Sequence, residues 1–145
     1  MPKYALDTNI YIDAFRSTDA SETLKQFLTS HLPMTYLSAV VMMELRIGAQ
    51  TKDQVEAVEK AVFAPFEKRR RVFAPSLHAF KEAGTILALL VKNHPVNRPI
   101  RSSLVNDALL AASCREQGLT LITSDNDFLR ISRHLKGFRY VAPWP

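Results

Sequence analysis

Short apolar runs alternate along this chain with longer segments in which apolar residues recur at helical spacing. Lys3-Tyr4-Ala5-Leu6 reads as a strand that ends at Asp7-Thr8-Asn9, residues typical of turns and helix caps. Ile10 to Phe15 opens a helix. A second is predicted to begin near Asp19, where Asp19 and Glu22 have capping-box spacing ahead of Leu24, Phe27 and Leu28, and Pro33 closes that unit. Met34 to Leu37 reads as a second strand, followed by Ser38 as N-cap of a helix from Ala39 to Ala49. Helical signals resume from Lys52 to Phe66. The basic run Lys68-Arg69-Arg70-Arg71 then leads into a brief strand at Val72-Phe73, and Pro75-Ser76 starts a helix reaching Lys92.

The segment His94-Pro95-Val96-Asn97-Arg98-Pro99 is expected to be an irregular loop, because each proline disfavours helix at its own position and at the one before. Ser102 or Ser103 can cap the next helix, which carries Leu104, Ala108, Leu109, Ala111, Ala112 and Cys114 and stops at Gly118. Thr120 to Thr123 follows as a buried-type strand, then Ser124-Asp125-Asn126-Asp127, a short helix from Phe128 to Leu135, and a last strand at Arg139 to Val141. Alternating strands and helices predict an α/β fold with a mainly parallel central sheet of about five strands, helices on both faces and right-handed crossovers.

Composition narrows the class. A length of 145 residues with 47% hydrophobic and 23% charged content suits one domain over residues 1–145. Cys114 is the sole cysteine, which excludes an internal disulfide framework or a cysteine-based zinc cluster and fits a reducing cytoplasm. Met1 to Leu6 is too short for a signal segment, and no apolar stretch is long enough to span a bilayer, so no membrane association is expected. The formal charge of +5 and a pI of 9.6 suit a polyanionic partner.

Candidate chemistry lies in the acids. Asp7 and Asp125 fall at the carboxyl ends of the first and fourth strands, where open α/β sheets bind ligands if those strands are neighbours at the switch point. Glu44 sits among Ala39-Val40-Val41-Met42-Met43 and Leu45, so most faces of its helix are expected against protein, where a charge needs a partner. Asp107 is placed in the first turns of an otherwise apolar helix, where the helix dipole favours its charge. A divalent cation turns the mutual repulsion of gathered carboxylates into attraction. Taken singly, Asp7, Asp107 and Asp125 also fit cap or turn positions, and Glu44 fits an ion pair with Arg46 or another arginine.

Four segments, in order and at suitable spacing, resemble the PIN-domain ribonucleases, and most of all the VapC toxins of toxin-antitoxin pairs. They are Leu6-Asp7-Thr8-Asn9, Glu44-Leu45 with Gly48, Asn106-Asp107-Ala108-Leu109-Leu110-Ala111-Ala112, and Thr123-Ser124-Asp125-Asn126-Asp127-Phe128. The resemblance implies a three-layer PIN-like fold and a Mg²⁺- or Mn²⁺-dependent endoribonuclease with Asp7, Glu44, Asp107 and Asp125 as its acidic cluster. It makes Thr8, Asn9 and Thr123 supporting residues, with Asp127 a further ligand or outer acid. It also implies a homodimer and a cognate antitoxin, with operator DNA met only through that antitoxin. Arg101-Ser102-Ser103-Leu104-Val105 departs from the family pattern, in which a small residue such as glycine often precedes the third acid.

Oxygen-only ligands suit Mg²⁺ or Mn²⁺ better than zinc. No serine, cysteine or histidine is placed as a nucleophile within the motifs; His31, His78, His94 and His134 read as surface or structural histidines, and Cys114 as core. Arg98 and Arg101 are the preferred RNA contacts, with Lys68 to Arg71, Arg130 and Arg133 behind them. Phe27, Leu28, Val58 and Phe63 are candidates for a partner groove or for core. The competing readings are a non-catalytic PIN-like module that binds RNA or protein, and a phosphotransfer domain with an aspartate as phosphoacceptor.

Overall fold

The computed structural model describes residues 1–93 and 101–145. The proline loop, with His94 and Arg98, lies outside the described residues. The chain order is β1 (Tyr4–Leu6), α1 (Thr8–Arg16), α2 (Thr18–His31), a 3₁₀ turn (Leu32–Met34), β2 (Thr35–Ser38) and α3 (Ala39–Gly48). Then come α4 (Lys52–Val58), a π-helical segment (Glu59–Phe63), α5 (Ala64–Lys68), β3 (Val72–Phe73) and α6 (Leu77–Lys92). The chain finishes with α7 (Ser102–Gln117), β4 (Thr120–Ile122), α8 (Phe128–Ser132) and β5 (Arg139–Val141).

All five strands are parallel, in the order β3-β2-β1-β4-β5, with helices covering both faces in a three-layer α/β arrangement. The inner strands are apolar on both faces, as burial between helix layers requires: Ala5, Leu6, Leu121 and Ile122 are buried. The edges carry the shorter β3 and the more polar β5, whose Arg139 is exposed. Small residues let α7 approach the sheet, since Ala108, Ala111, Ala112 and Cys114 have no exposed surface. Gly118 ends α7 in the left-handed region at φ 68°, a conformation glycine adopts without a Cβ clash.

Local signals were read correctly at some caps and not at others. Ser38 and Ser76 cap α3 and α6 through their side chains. The cap of α2 is Ser17, whose hydroxyl accepts from Ala20 N at 3.2 Å, so Asp19 belongs to the first turn and forms no capping box. Arg101 occupies the N-cap of α7 without a side-chain bond, and Ser102 and Ser103 are already helical. The second strand runs one residue later than expected, because Met34 closes the 3₁₀ turn begun by Leu32-Pro33. The π-helical insertion between α4 and α5 has no signature in the apolar spacing.

Phe27 and Phe63 are buried in the core, and Leu28 packs against it, so none of the three forms an open groove. Cys114 is core, as expected, and His31 is structural, stacked on Phe27 with ring centroids 4.3 Å apart. Among the described residues no helix is long and apolar enough to cross a membrane. Phe128 has no exposed surface and meets Phe138 and Tyr140 at centroid distances of 6.1 and 6.4 Å. Replacing it (Phe128→Ala) is expected to cost about 3–5 kcal/mol, read as a lower denaturant midpoint at unchanged slope.

Candidate metal centre

Strand register brings the first two site residues together. Leu6 pairs with Ile122, so Asp7 and Thr123, each the next residue, emerge side by side at the carboxyl edge where the sheet order reverses. Asp7 N donates to Ile122 O at 3.0 Å, and Thr123 Oγ1 donates to Asp7 Oδ2 at 2.7 Å. The other carboxylate oxygen, Oδ1, accepts from Thr8 N at 2.8 Å. Asp7 is therefore both the N-cap of α1 and a member of the acidic cluster, and the two readings of it do not compete.

Three further hydrogen bonds extend the network. Thr8 Oγ1 donates to Glu44 Oε1 at 2.7 Å, which ties the start of α1 to the middle of α3. Asp125 N donates to Thr123 Oγ1 at 3.0 Å, and Asp127 N donates to Asp125 Oδ1 at 2.8 Å, folding the loop after β4 back toward the sheet. Thr8 and Thr123 thus hold the acids in place. Asn9 Oδ1 is buried and accepts no hydrogen bond among the described residues.

Asp107, Asp125 and Asp127 each offer a carboxylate oxygen such that all three lie within 4.8 Å of one another. Asp7 and Glu44 stand outside that converging group, yet their charges act on Asp107 together with those of Asp125 and Asp127. Burial first, and then those four acids, push the Asp107 carboxyl up to about 8. Asp107 is the sixth residue of α7, beyond the first turn, and burial outweighs the expected help from the helix dipole. Asp7 is raised to about 6 by burial, against the lowering effect of its bonds from Thr123 and Thr8, with Glu44 and Asp125 adding repulsion.

Glu44 is less enclosed than its apolar neighbours suggested. Met43 and Ile47 are 47% and 63% exposed, so α3 is open on one side and Glu44 is half-buried at the rim of the cluster. Its hydrogen-bond partner is Thr8, while Arg46 instead donates to Ala49 O. On the other side of Glu44 lies a cleft of about 320 Å³ lined by Ile12, Phe15, Arg16, Leu45 and Val58. Of the expected groove residues only Val58 lines it. Ile12 and Phe15 were missed, although their apolar side chains exceed what the buried face of α1, Ile10 and Tyr11, uses.

The basic candidates separate by position. Arg101 is exposed at the start of α7, the helix that carries Asp107. Arg130 Nη2 lies 3.5 Å from Asp127 Oδ1, at the rim of the site. Lys68 to Arg71 precede β3 and so lie at the amino end of an edge strand, with Arg71 donating to Leu32 O ahead of β2; the acids lie beyond the carboxyl ends. That run is not beside the site.

Carboxylate oxygens are hard donors, and repulsion within the group disappears when a dication joins it, so the residues fit Mg²⁺ or Mn²⁺. The converging group includes no histidine or cysteine, which disfavours zinc. The parallel α/β sheet thus carries an acidic crevice at its switch point, a candidate cation site. The chain belongs to the PIN domain family, whose profile matches residues 4–134. No curated protein matches significantly. Among solved structures, a chain of a DNA-bound VapBC from Salmonella typhimurium is 23% identical, with TM-score 0.70 and 98% of each chain covered. A toxin-antitoxin complex from Klebsiella pneumoniae gives 23% identity, TM-score 0.63 and 98% of each chain. VapBC-1 from nontypeable Haemophilus influenzae gives 24%, 0.67 and 96% of each. At these identities the likeness is one of fold.

Two measurements test the site. A carboxyl raised in the folded state favours folding below its unfolded value of 3.8 and loses that contribution as pH climbs through the folded value. In EDTA the protein is therefore expected to lose stability between pH 4 and 8. Asp107→Asn should remove much of that loss and be the more stable protein at pH 8, by on the order of a few kcal/mol. Thr123→Val, which removes the hydroxyl held by Asp7, should weaken Mg²⁺ or Mn²⁺ binding about 10–100-fold by calorimetry.

Proposed function

We propose that this chain, acting as one domain over residues 1–145, is a VapC-type toxin: a Mg²⁺- or Mn²⁺-dependent endoribonuclease neutralised by a cognate antitoxin. The observation that carries the reading is the convergence of Asp107, Asp125 and Asp127, with Asp7 and Glu44 in Coulombic reach, at the switch point of a PIN-family sheet. The match to the PIN family supports a nuclease, and the names of the similar complexes support an antitoxin partner; a cytoplasmic setting belongs to the same reading.

Asp107, Asp125 and Asp127 would hold the cation, with Asp7 and Glu44 completing the acidic shell. When bound, the cation supplies a Lewis acid that activates water and offsets the phosphate's charge. Asp107, protonated near neutrality without a cation, gives up its proton as the site fills. Asp7, held through both oxygens, keeps the shell in register. Glu44 accepts from Thr8 through Oε1; its second carboxylate oxygen would take the proton of the attacking water, while the displaced ribose oxygen would take one from solvent. Arg101 and Arg130 meet the RNA phosphates, and Arg98 remains a candidate from sequence.

The cleft between α1, α3 and α4 suits a segment of the antitoxin whose apolar side chains meet Phe15 and Val58 and whose basic residue reaches Glu44. A homodimer is supported by the open stripe Leu77, Phe80, Gly84, Leu87 and Val91 on α6, which repeats at heptad spacing and leaves Leu77 and Phe80 78% and 55% exposed.

Purified protein is expected to cleave RNA with Mg²⁺ or Mn²⁺ and to stop in excess EDTA. Asp107→Asn should reduce the rate by more than about 100-fold, beyond what loss of an outer partner costs, while circular dichroism stays unchanged. Undiminished cleavage in EDTA would sink the metal-dependent reading. Asp125→Asn and Asp127→Asn, compared side by side, assign the third ligand: the variant that keeps full turnover identifies the acid that is not needed.

A further inference from the structure

Behind the rim of the acidic cluster lies a second, smaller recess of about 210 Å³, lined by Glu44, Ile47, Ser102, Ser103 and Asn106. Its position is set by packing: α3 lies against α7, so residues near the middle of α3 face the first turns of α7. Ile47 is one turn beyond Glu44, and Asn106 directly precedes Asp107. The recess therefore shares Glu44 with the acids and adjoins the carboxylate most strongly raised by its surroundings.

The lining has two characters. One wall is apolar and open: Ile47 is 63% exposed and Met43, one turn before it, 47%, while Val40, Val41 and Leu45 of the same helix are core. The other wall carries the amide of Asn106, both donor and acceptor, and the hydroxyls of Ser102 and Ser103. Among the described residues no cationic side chain lines it. Its volume is below the roughly 300 Å³ at which pockets take drug-sized molecules, which suits a single flat ring system. Unstacked bases of single-stranded RNA are held by a face to pack on, most often an aromatic ring or a guanidinium plane, and by hydrogen bonds to the base edge; here the aliphatic Ile47 supplies the face and Asn106 with the serines the edge.

We infer that this recess takes the nucleobase next to the scissile phosphate, packing it on Ile47 and reading its edge with Asn106 and Ser103. The inference rests on the nuclease reading above and adds to it the residues that choose where the strand is cut. Glu44 then touches both the acidic cluster and the recess, so a base seated there sets the distance from its own phosphate to the acids.

The test uses a library of single-stranded RNA randomised around one position, cut in Mg²⁺ and sequenced at the new ends. The wild type is expected to show a nucleotide preference at one position flanking the cut. Asn106→Ala and the exposed Ser103→Ala should flatten or redirect that preference by about tenfold, and Ile47→Asp should raise KM for the preferred RNA with kcat retained. The thermal shift on adding Mg²⁺ should stay as in the wild type in all three, which separates loss of base reading from damage to the metal centre. A wild-type profile without nucleotide preference, or one that persists unaltered in all three variants, overturns the inference. Intact RNA in every wild-type reaction overturns the nuclease reading itself, and the inference with it.

Discussion

Repulsion among carboxylates that the fold will not let apart is the constraint on which this molecule's organisation depends. Asp7, Glu44, Asp107 and the pair Asp125 and Asp127 come from four separate segments of the chain, and the other four acids each raise the cost of ionising Asp107. Such a cluster is unfavourable as a structural device, because each acid would be better solvated apart. Its persistence within a well-packed domain is what separates a site from a chance gathering of acids. Without a cation the cluster is kept tolerable by protons and by hydroxyl donors: Asp107 stays largely protonated near neutrality, and Thr8 and Thr123 each give a hydrogen bond to a neighbouring carboxylate.

The sheet does the assembling. Pairing β1 with β4 across the reversal of strand order puts Asp7 beside Thr123, and a slip of one residue would exchange the helix layers on which the side chains pack and part Thr123 from Asp7. Short strands make this economical. With three residues in each of the two central strands, the chain reaches the carboxyl edge at once and enters α1 with Asp7 as its cap. Asp125 and Asp127 follow in the loop after β4, while Glu44 and Asp107 ride on α3 and α7, whose mutual packing brings them toward the same edge.

Much of this was legible in the amino-acid order. Strand and helix alternation, Asp7 at a strand end and Gly118 past a helix end all follow from local rules that the tertiary structure does not override. Where reading failed, a choice between near-equivalent residues was decided by packing. Ser17 and Asp19 both suit a cap, and the helix began at the earlier one. Phe27 and Phe63 were ambiguous between groove and core because periodicity marks an apolar face without saying what covers it. The openness of α3 around Met43 and Ile47 was likewise invisible, since a uniformly apolar helix carries no mark of which side faces solvent. Asp127 joined the converging group because the turn after β4 closes through Asp125 Oδ1, a geometry that spacing alone does not decide.

Glu44 belongs at once to the wall of the larger cleft and to the acidic cluster, and this has a thermodynamic consequence. Two ligands that both alter the charge of one side chain cannot bind independently. A cationic group brought to Glu44 from the cleft lowers the negative potential that holds a dication at the sheet edge. By reciprocity, a dication already there weakens the cleft's hold on that cationic group by the same factor. Under the proposed function, the concentration of free metal ion would thereby bear on release of the antitoxin, with one carboxylate as the link.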